Sequence, residues 1–254
     1  MFRKKCASAI IVGIRPTKKE RSLQWAEKFI RLLRNGTHSF EIWSDGEICR
    51  IFLCSSNKNI VRTIPSIYKC ELYLPDRTFP FLNFNEFEVG YLELSSGFYP
   101  LETDFNFDPL NVLFGIINGI EAIYQVVFTE TSSKKLRDAL TSYRGGKNNF
   151  YNTELIKELM HKASYPLFEV SIRVALKSEI KNTESFFAIF NNYKVNQIFK
   201  VRKIKRFRLK SAINKMTLRC IEKPLILSSL ELSYLAHIPG AEIKTKNVEF
   251  SEII

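Results

Sequence analysis

Cysteine, glycine and proline are scarce in this sequence of 254 residues, which has 5 Cys, 10 Gly and 9 Pro. The cysteines form no C-x-x-C pair, and an odd number cannot be fully paired within one chain, so a secreted disulfide framework is not expected. The low glycine and proline content, together with 45% hydrophobic residues, excludes wholesale disorder. The composition predicts a folded cytoplasmic protein of one large domain or two small ones.

The sequence also lacks a long uninterrupted apolar run. Polar and charged residues break its longest apolar-rich stretch, residues 110–128, so no transmembrane segment is predicted. The short apolar stretch of residues 7–14 runs into Arg15 and Pro16 without a small-residue cleavage site, and we interpret it as a first strand rather than a signal peptide. Any association with a membrane would then depend on a partner protein.

Motifs for catalysis are missing as well. The run Gly145-Gly146-Lys147-Asn148 has neither the upstream glycine nor the Ser or Thr of a phosphate-binding loop, so we expect no ATP site. His38, His161 and His237 lie far apart and in no metal-ligand spacing. Two acid-x-Lys triplets, at residues 179–181 and 242–244, are interpreted as surface ion pairs. The sequence therefore predicts a protein that is not an enzyme and needs no metal or cofactor.

Residues 1–75 predict the element order βαββαβ. Asp45-Gly46 is a hairpin signal between two strands, because both residues tolerate positive φ. Helical spacing of apolar residues before and after this hairpin predicts a helix on each side. The expected elements are strands over 8–14, 38–44, 47–54 and 70–74 and helices over 18–34 and 57–68.

Residues 86–225 predict the same order again, with a helical insertion over 132–164. The strand over 168–176 alternates apolar and polar residues, which predicts one buried and one solvent-facing side. Asp108 and Pro109 are expected to open a helix, and Ser228 with Glu231 has capping-box spacing at the start of a short C-terminal one. The other expected elements are strands over 87–94, 122–129 and from about 199 and helices over 109–120 and around Phe186, Phe190 and Tyr193.

These patterns predict an α+β fold of two tandem ferredoxin-like βαββαβ units, the second with the helical insertion. We expect a linker at residues 76–85 and a C-terminal helix and tail at residues 226–254. The same element order occurs in RNA-recognition domains, but the strand over 47–54 has one aromatic residue and none of the glycines of their signature. Sequence-specific RNA reading is therefore not predicted.

The net charge of +12 is concentrated in one segment, residues 200–219, which contains nine basic residues and no acid. Such a row of cations repels itself unless an anionic partner or wide solvation relieves it, and a phosphate backbone would do so. The alternative is a strand edge that charge protects from aggregation. Val201, Ile204, Phe207 and Leu209 are expected to anchor the segment in the fold. The predicted nucleic-acid contacts are Lys200, Arg202, Lys203, Lys205, Arg206, Arg208 and Lys210.

Short patches spread over most of the chain, each weak alone, carry a family resemblance through their order and spacing. Together they resemble the region that precedes the motor domain in a divergent branch of the type IV secretion coupling-protein family, HerA/FtsK-superfamily ATPases of conjugative and other mobile elements. The patches are residues 39–46, 50–52, 98–101, 108–110, 124–125, 168–173, 226–232 and 237–239. The relatives usually have an aromatic residue where Ala236 stands, and this chain has no Walker motif.

The resemblance implies an accessory or recruiting module of a DNA-transfer or DNA-translocation machinery, with a HerA/FtsK-like motor ATPase as partner. Binding of DNA without sequence preference is predicted from the concentrated charge and the lack of a base-reading motif. In such proteins the His-x-Pro segment leads towards the ATPase. Leu235, His237 and Ile238 are accordingly predicted to form a partner-facing patch, the alternative being that they pack against the second unit. A different function class also stays open, namely a protein-binding adaptor whose basic segment meets an acidic surface or anionic lipid. A nuclease has no support in the sequence.

Overall fold

The computed structural model describes residues 10–19, 23–75, 86–94, 99–101, 103, 108–132, 134, 136, 138, 141, 151–177, 199–241, 243 and 247–251. Its strands are β1 (Ile10–Arg15), β2 (Thr37–Asp45), β3 (Cys49–Ser55), β4 (Glu71–Tyr73), β5 (Phe87–Leu94), β6 (Glu121–Glu130), β7 (Leu167–Lys177), β8 (Phe199–Lys203) and β9 (Leu225–Ser228). Its helices are α1 (Leu23–Leu32), α2 (Lys58–Tyr68), α3 (Pro109–Ile116), α4 (Tyr151–Ala163), α5 (Leu209–Thr217) and α6 (Ser229–Ser233), with a 3₁₀ turn at Arg206–Arg208.

The strands form one antiparallel sheet in the order β4-β1-β3-β2-β6-β7-β5-β8, and β9 pairs with the start of β7. The order is β4-β1-β3-β2 in the first half of the chain and β8-β5-β7-β6 in the second, so the same arrangement occurs twice. The halves meet where β2 pairs with β6, from Thr37 opposite Thr129 to Asp45 opposite Glu121. The predicted α+β class is confirmed.

Local sequence signals account for several element boundaries. Strand β5 spans residues 87–94, as predicted. The side chain of Asp108 accepts a hydrogen bond from the Leu110 amide at the start of α3. At the β2–β3 hairpin, Gly46 has φ +94°, the Asp45 amide donates to the Ile48 carbonyl, and the turn is therefore centred on Gly46 and Glu47, one residue later than predicted. The predicted linker and the helix around Phe190 lie outside the described residues.

Apolar side chains pack on both faces of the sheet. On one face, α1, α2, α3 and α6 cover the larger core, which includes Phe29, Ile64, Phe114 and Leu232. On the opposite face, α5 places its apolar side over the middle and the β5 end of the sheet. This smaller core contains Trp43, Phe52, Phe87, Val89, Tyr91, Ile123, Ala175, Leu209, Ala212, Ile213 and Met216. Packing in this smaller core fixes helix α5 on the sheet, and it thereby fixes the residues that lie between α5 and the edge of the sheet.

The alternation of apolar and polar residues in β7 does not predict the environment of its polar face. Phe168, Val170 and Ile172 lie in the larger core as expected. Ser171 and Arg173, on the face predicted to meet solvent, are also buried, and the side chain of Arg173 is fully inaccessible. The prediction of a half-buried strand is wrong here because α5 and the segment after it cover the polar face.

The buried imidazole of His38 makes stability depend on pH. Its Nε2–H donates to the Asn35 carbonyl at 3.2 Å, Nδ1 lies 3.0 Å from the Ser55 hydroxyl, and burial lowers the pKa of His38 from its ordinary 6.5 to about 4. The unfolded chain therefore binds more protons between these values, and stability falls as the pH drops from 6.5 towards 4. We expect a slope of about 1 kcal/mol per pH unit, measured by urea denaturation. A matched series on His38→Gln should lack this slope; equal slopes would contradict the assignment.

Candidate nucleic-acid interface

A groove of about 360 Å³ runs between the β5–β8 edge of the sheet and helix α5. We call it the basic groove, and its lining residues come from β5, β8, the 3₁₀ turn, α5 and the segments beside them. They are Tyr91, Glu93, Arg202, Ile204, Arg208, Ser211, Ala212, Lys215, Glu222 and Lys223. Arg202 is held by β8, Lys215 by α5, and Lys223 by the connection to β9, so cations converge on one cavity from three directions.

Cations outnumber acids in the basic groove, with four against two. The Glu93 carboxylate lies 3.5 Å from the Arg202 guanidinium and 2.9 Å from the Lys223 ammonium, and Glu222 lies 2.5 Å from Lys215. Ion pairs in such partly exposed places contribute little to stability, because water screens them. The cations can therefore exchange these carboxylates for phosphate oxygens at small cost to the fold.

The predicted nucleic-acid contacts differ in their position relative to the basic groove. Arg202 and Arg208 line the basic groove, and Lys205 and Lys210 are exposed beside it. The side chains of Lys200, Lys203 and Arg206 lie outside what the structure describes. Sequence reasoning missed Lys223 and Glu93 because each lies outside the basic run and joins it only through folding.

Phe207 was expected to anchor the basic segment, and this expectation is wrong. Its ring is 77% exposed, whereas Leu209 is buried and Ile204 is partly buried against the smaller core. The Arg208 guanidinium lies 5.3 Å from the centre of the Phe207 ring. Ile204 and Leu209 thus hold the segment, and the 3₁₀ turn between them presents an aromatic ring beside the groove.

A row of directly opposed residues crosses the α5 face of the sheet and ends in the basic groove. Each member is paired with the next across neighbouring strands, so their side chains point to the same side. In order, the members are Tyr73, Gly13, Phe52, Glu41, Gln125, Arg173, Tyr91 and Arg202. At Gly13 a Cβ atom would lie 2.1 Å from the Tyr73 ring, so glycine leaves the space that this ring occupies.

Glu41 is the most heavily hydrogen-bonded member of this row. Its Oε1 accepts from the Ser39 hydroxyl at 2.7 Å, the Gln125 amide at 3.0 Å and Arg219 Nε at 2.8 Å. Its Oε2 accepts from Trp43 Nε1 at 2.9 Å and Arg219 Nη2 at 3.2 Å. Burial lowers the pKa of Arg219, but the charge and hydrogen bonds of Glu41, together with the nearby Cys54, outweigh burial and raise this pKa above its ordinary value. Arg219, the last cation of the basic run, is therefore a core residue and not a candidate phosphate contact.

Arg173 extends this buried network towards the groove. Its Nη1 donates to the Gln125 side-chain oxygen at 3.1 Å, its Nη2 donates to the Cys220 carbonyl, and its guanidinium lies 5.3 Å from the centre of the Tyr91 ring. Burial lowers the pKa of Arg173, although the nearby Tyr91 and Glu222 partly offset this. The Tyr91 hydroxyl in turn donates to Glu222 at 3.2 Å. The network thus fixes the segment after α5 on the sheet and sets the position of the groove wall.

The predicted partner-facing patch is not exposed. Leu235, His237 and Ile238 are all buried, and Leu235 belongs to the larger core with Ile238. His237 Nδ1 donates to the Ser233 carbonyl at 2.8 Å at the end of α6, and Nε2 lies 2.9 Å from an Asp108 carboxylate oxygen. These residues are thus packed inside the fold, as the alternative expects, with His237 against Asp108 and the Leu235 carbonyl accepting from Tyr124, both in the second half of the chain.

A second cavity, of about 350 Å³, lies where α4 meets the C-terminal helix α6. Lys162 of α4 is buried there, 3.1 Å from a Glu231 carboxylate oxygen, and it donates to the Tyr99 carbonyl at 3.0 Å. Burial lowers the pKa of Lys162, and the Glu231 charge partly offsets this. The same carboxylate completes the predicted capping box with Ser228. These contacts tie α4 to the core, so we assign the pair a structural role.

The described residues bear on two further features, a metal site and a membrane-spanning helix. No group of three or more His, Cys, Asp or Glu side chains there is arranged to hold a metal ion. In the same part of the chain, no helix is long and apolar enough to cross a membrane. The Gly145-Gly146 run falls outside it. Compared with known proteins, the chain matches no protein-family model and no curated protein.

Proposed function

We propose that this chain is a non-catalytic module that binds nucleic acid, without sequence preference, through the basic groove. The observation that carries the proposal is the convergence of Arg202, Arg208, Lys215 and Lys223 on one cavity. Phosphate groups that replace the two acids would satisfy these cations and release counterions. The long, partly exposed cations of the groove suit contacts with the phosphate backbone, and such contacts carry no sequence information.

The alternative, protection of a strand edge by charge, accounts for only part of this arrangement. β8 is the last strand of the sheet order, and Arg202 lies on it. Lys215 and Lys223 lie on other elements and cannot protect the backbone of β8, yet they face the same cavity. An anionic ligand accounts for all four cations.

The repeated strand order supports the finer fold proposal, two tandem ferredoxin-like units. Each half of the sheet order has four strands. In both halves the fourth strand along the chain pairs with the first, and the third strand lies between the first and the second. Helices α1 and α2 supply both crossovers of the first unit, and α3 supplies one crossover of the second. The remaining crossover falls within residues 178–198, outside the described residues. The division into units at 1–75 and 86–225, with a C-terminal segment at 226–254, is part of this proposal.

The wider role is proposed from the sequence resemblance alone. In this proposal the chain is an accessory or recruiting module of a DNA-transfer machinery on a mobile element. The module is related to type IV secretion coupling proteins and acts in conjugation. The module would work in the cytoplasm beside a HerA/FtsK-like motor ATPase, with membrane association only through that partner. It would neither hydrolyse ATP nor cleave DNA.

Fluorescence anisotropy with labelled oligonucleotides tests the proposed function. Binding should weaken steeply as salt rises from 50 to 200 mM, because phosphate contacts release counterions. The double variant Arg202→Glu/Arg208→Glu should lower the affinity about tenfold or more. Its circular-dichroism spectrum should match that of the wild type, since both side chains are exposed.

The matched control is Lys58→Glu/Arg62→Glu, the same change of charge on α2, which covers the other face of the sheet. This control should keep most of the affinity. Equal losses in both double variants would show that net charge, and not the groove, determines binding. A groove variant that binds as tightly as the wild type would refute the interface.

A further inference from the structure

The exposed ring of Phe207 carries an inference about the form of nucleic acid that the groove binds. At 77% exposure, it keeps almost its whole apolar surface in water, although burial of a phenylalanine side chain is strongly favourable. Its apolar neighbours in the segment, Ile204 and Leu209, do pack against the smaller core. The segment can thus bury apolar residues, and the backbone turn directs this one outward.

The backbone around Phe207 is held at both ends. The Ile204 amide donates to the Val89 carbonyl at 2.9 Å, which ties the start of the turn to β5. The Arg208 amide donates to the Lys205 carbonyl at 2.8 Å, which closes the turn, and Leu209 then enters the core. Because the backbone of the turn is already fixed, stacking of a flat group on the ring restricts only the rotation of the Phe207 side chain.

Positive charge lies immediately beside the ring. The Arg208 guanidinium is 5.3 Å from the ring centre, and the same side chain lines the basic groove with Arg202 and Lys215. Proteins that bind single strands combine these two features, a groove of cations for the backbone and an aromatic ring for the bases. Because every base has an aromatic face, such stacking needs no sequence preference.

A duplex cannot use this arrangement fully, because its bases are stacked inside and paired. The groove, at about 360 Å³, is at the small end of ligand-sized cavities and suits a short stretch of flexible strand. A duplex would contact the cations with its phosphates and leave the ring of Phe207 without a base. The ring therefore adds affinity for unpaired strands alone.

We infer that the chain binds single-stranded nucleic acid in preference to duplex, with a base stacked on Phe207 and the adjoining phosphates held by Arg202 and Arg208. This inference rests on the proposed function and specifies the ligand of the same groove. It assigns separate tasks to neighbouring side chains, since the arginines recognise the backbone and Phe207 distinguishes stacked from unstacked bases.

The test compares the affinities of wild type and Phe207→Ala for labelled dT15, rU15 and a 15-base-pair duplex by fluorescence anisotropy. We expect the variant to lose about tenfold in affinity for the single strands and less than twofold for the duplex. Phe207→Trp should restore single-strand binding. Leu218→Ala is the matched control, because Leu218 is 59% exposed at the far end of α5, and it should leave both affinities unchanged.

The outcomes separate the two proposals. A wild-type protein that binds none of the three probes overturns the proposed function and this inference together. Binding that Phe207→Ala leaves intact, or weakens equally for duplex and single strand, overturns the stacking alone and keeps the basic groove. If the wild type binds the duplex more tightly than the single strands, the stacking is likewise overturned and the basic groove is kept. Selective loss on dT15 and rU15 supports stacking, and the stronger-binding probe then identifies the sugar that the groove prefers.

Discussion

Replacement of Glu41 by leucine is expected to lower the free energy of unfolding by about 4 kcal/mol, since it leaves a buried cation without its partner. Arg219 would lose both of its bonds to the carboxylate, and Trp43, Gln125 and Ser39 would each lose one hydrogen bond to it. Urea denaturation followed by circular dichroism measures the change. We also expect weaker nucleic-acid binding, because the segment after α5 would no longer be fixed.

Two further variants make this prediction specific. Glu47→Leu, on the exposed hairpin turn that joins β2 to β3, should change stability by less than about 0.5 kcal/mol. Glu41→Leu combined with Arg219→Met removes both charges and should recover at least half of the loss, since a buried ion pair replaced by apolar groups is often tolerated. If the double variant were as unstable as the single one, loss of the other hydrogen bonds, and not the unpaired charge, would be the cause.

Lys162→Met is expected to lower the free energy of unfolding by about 3 kcal/mol. The change leaves the buried Glu231 carboxylate without a counter-charge, although the Leu101 amide and the Ser228 amide still donate to it. It also removes the hydrogen bond from Lys162 to the Tyr99 carbonyl. Thermal denaturation gives the stability, and hydrogen exchange over α4 shows whether this helix separates first.

Lys157→Met serves as the control for Lys162→Met, because Lys157 lies on the same helix with its side chain exposed. The control should leave the melting temperature within about 2 °C of the wild type. A Lys162→Met protein as stable as the control would show that the pair contributes no net stability, as some buried ion pairs do not. In that case apolar contacts, among them those of Leu155 and Leu159, hold α4 in place.

Features that depend on neighbouring residues were predictable from the sequence. The span of β5 was predicted from its own residues, and the Asp108 cap and the capping box of Ser228 and Glu231 follow from side chains that reach the start of their own helix. The hairpin tip was one residue out, because Gly46 occupies the first central position of the turn. Such features need no knowledge of the rest of the fold.

Features that depend on distant residues were not predictable from the sequence. Arg219 looks like any other cation of the basic run, and only the fold brings it to Glu41, 178 positions away in the chain. Arg173 alternates with apolar residues, which is the pattern of a solvent-facing residue. In the fold it is buried, because α5 and the segment after it cover this face of β7. Phe207 shows the opposite error, since hydrophobic spacing cannot tell an anchoring ring from an exposed one. The basic groove could not be predicted for the same reason, because its lining residues come from separate parts of the chain.

The pairing of β2 with β6 has a consequence for how the protein forms during synthesis. Residues 10–73 can arrange their four strands locally, but β2 then remains an open edge until β6, some 80 residues later, has left the ribosome. An unpaired edge with Phe40, Ile42 and Trp43 on it is a template for association with other chains. A fragment that ends at residue 75 would therefore aggregate, and slow translation before residue 121 would prolong the same exposure.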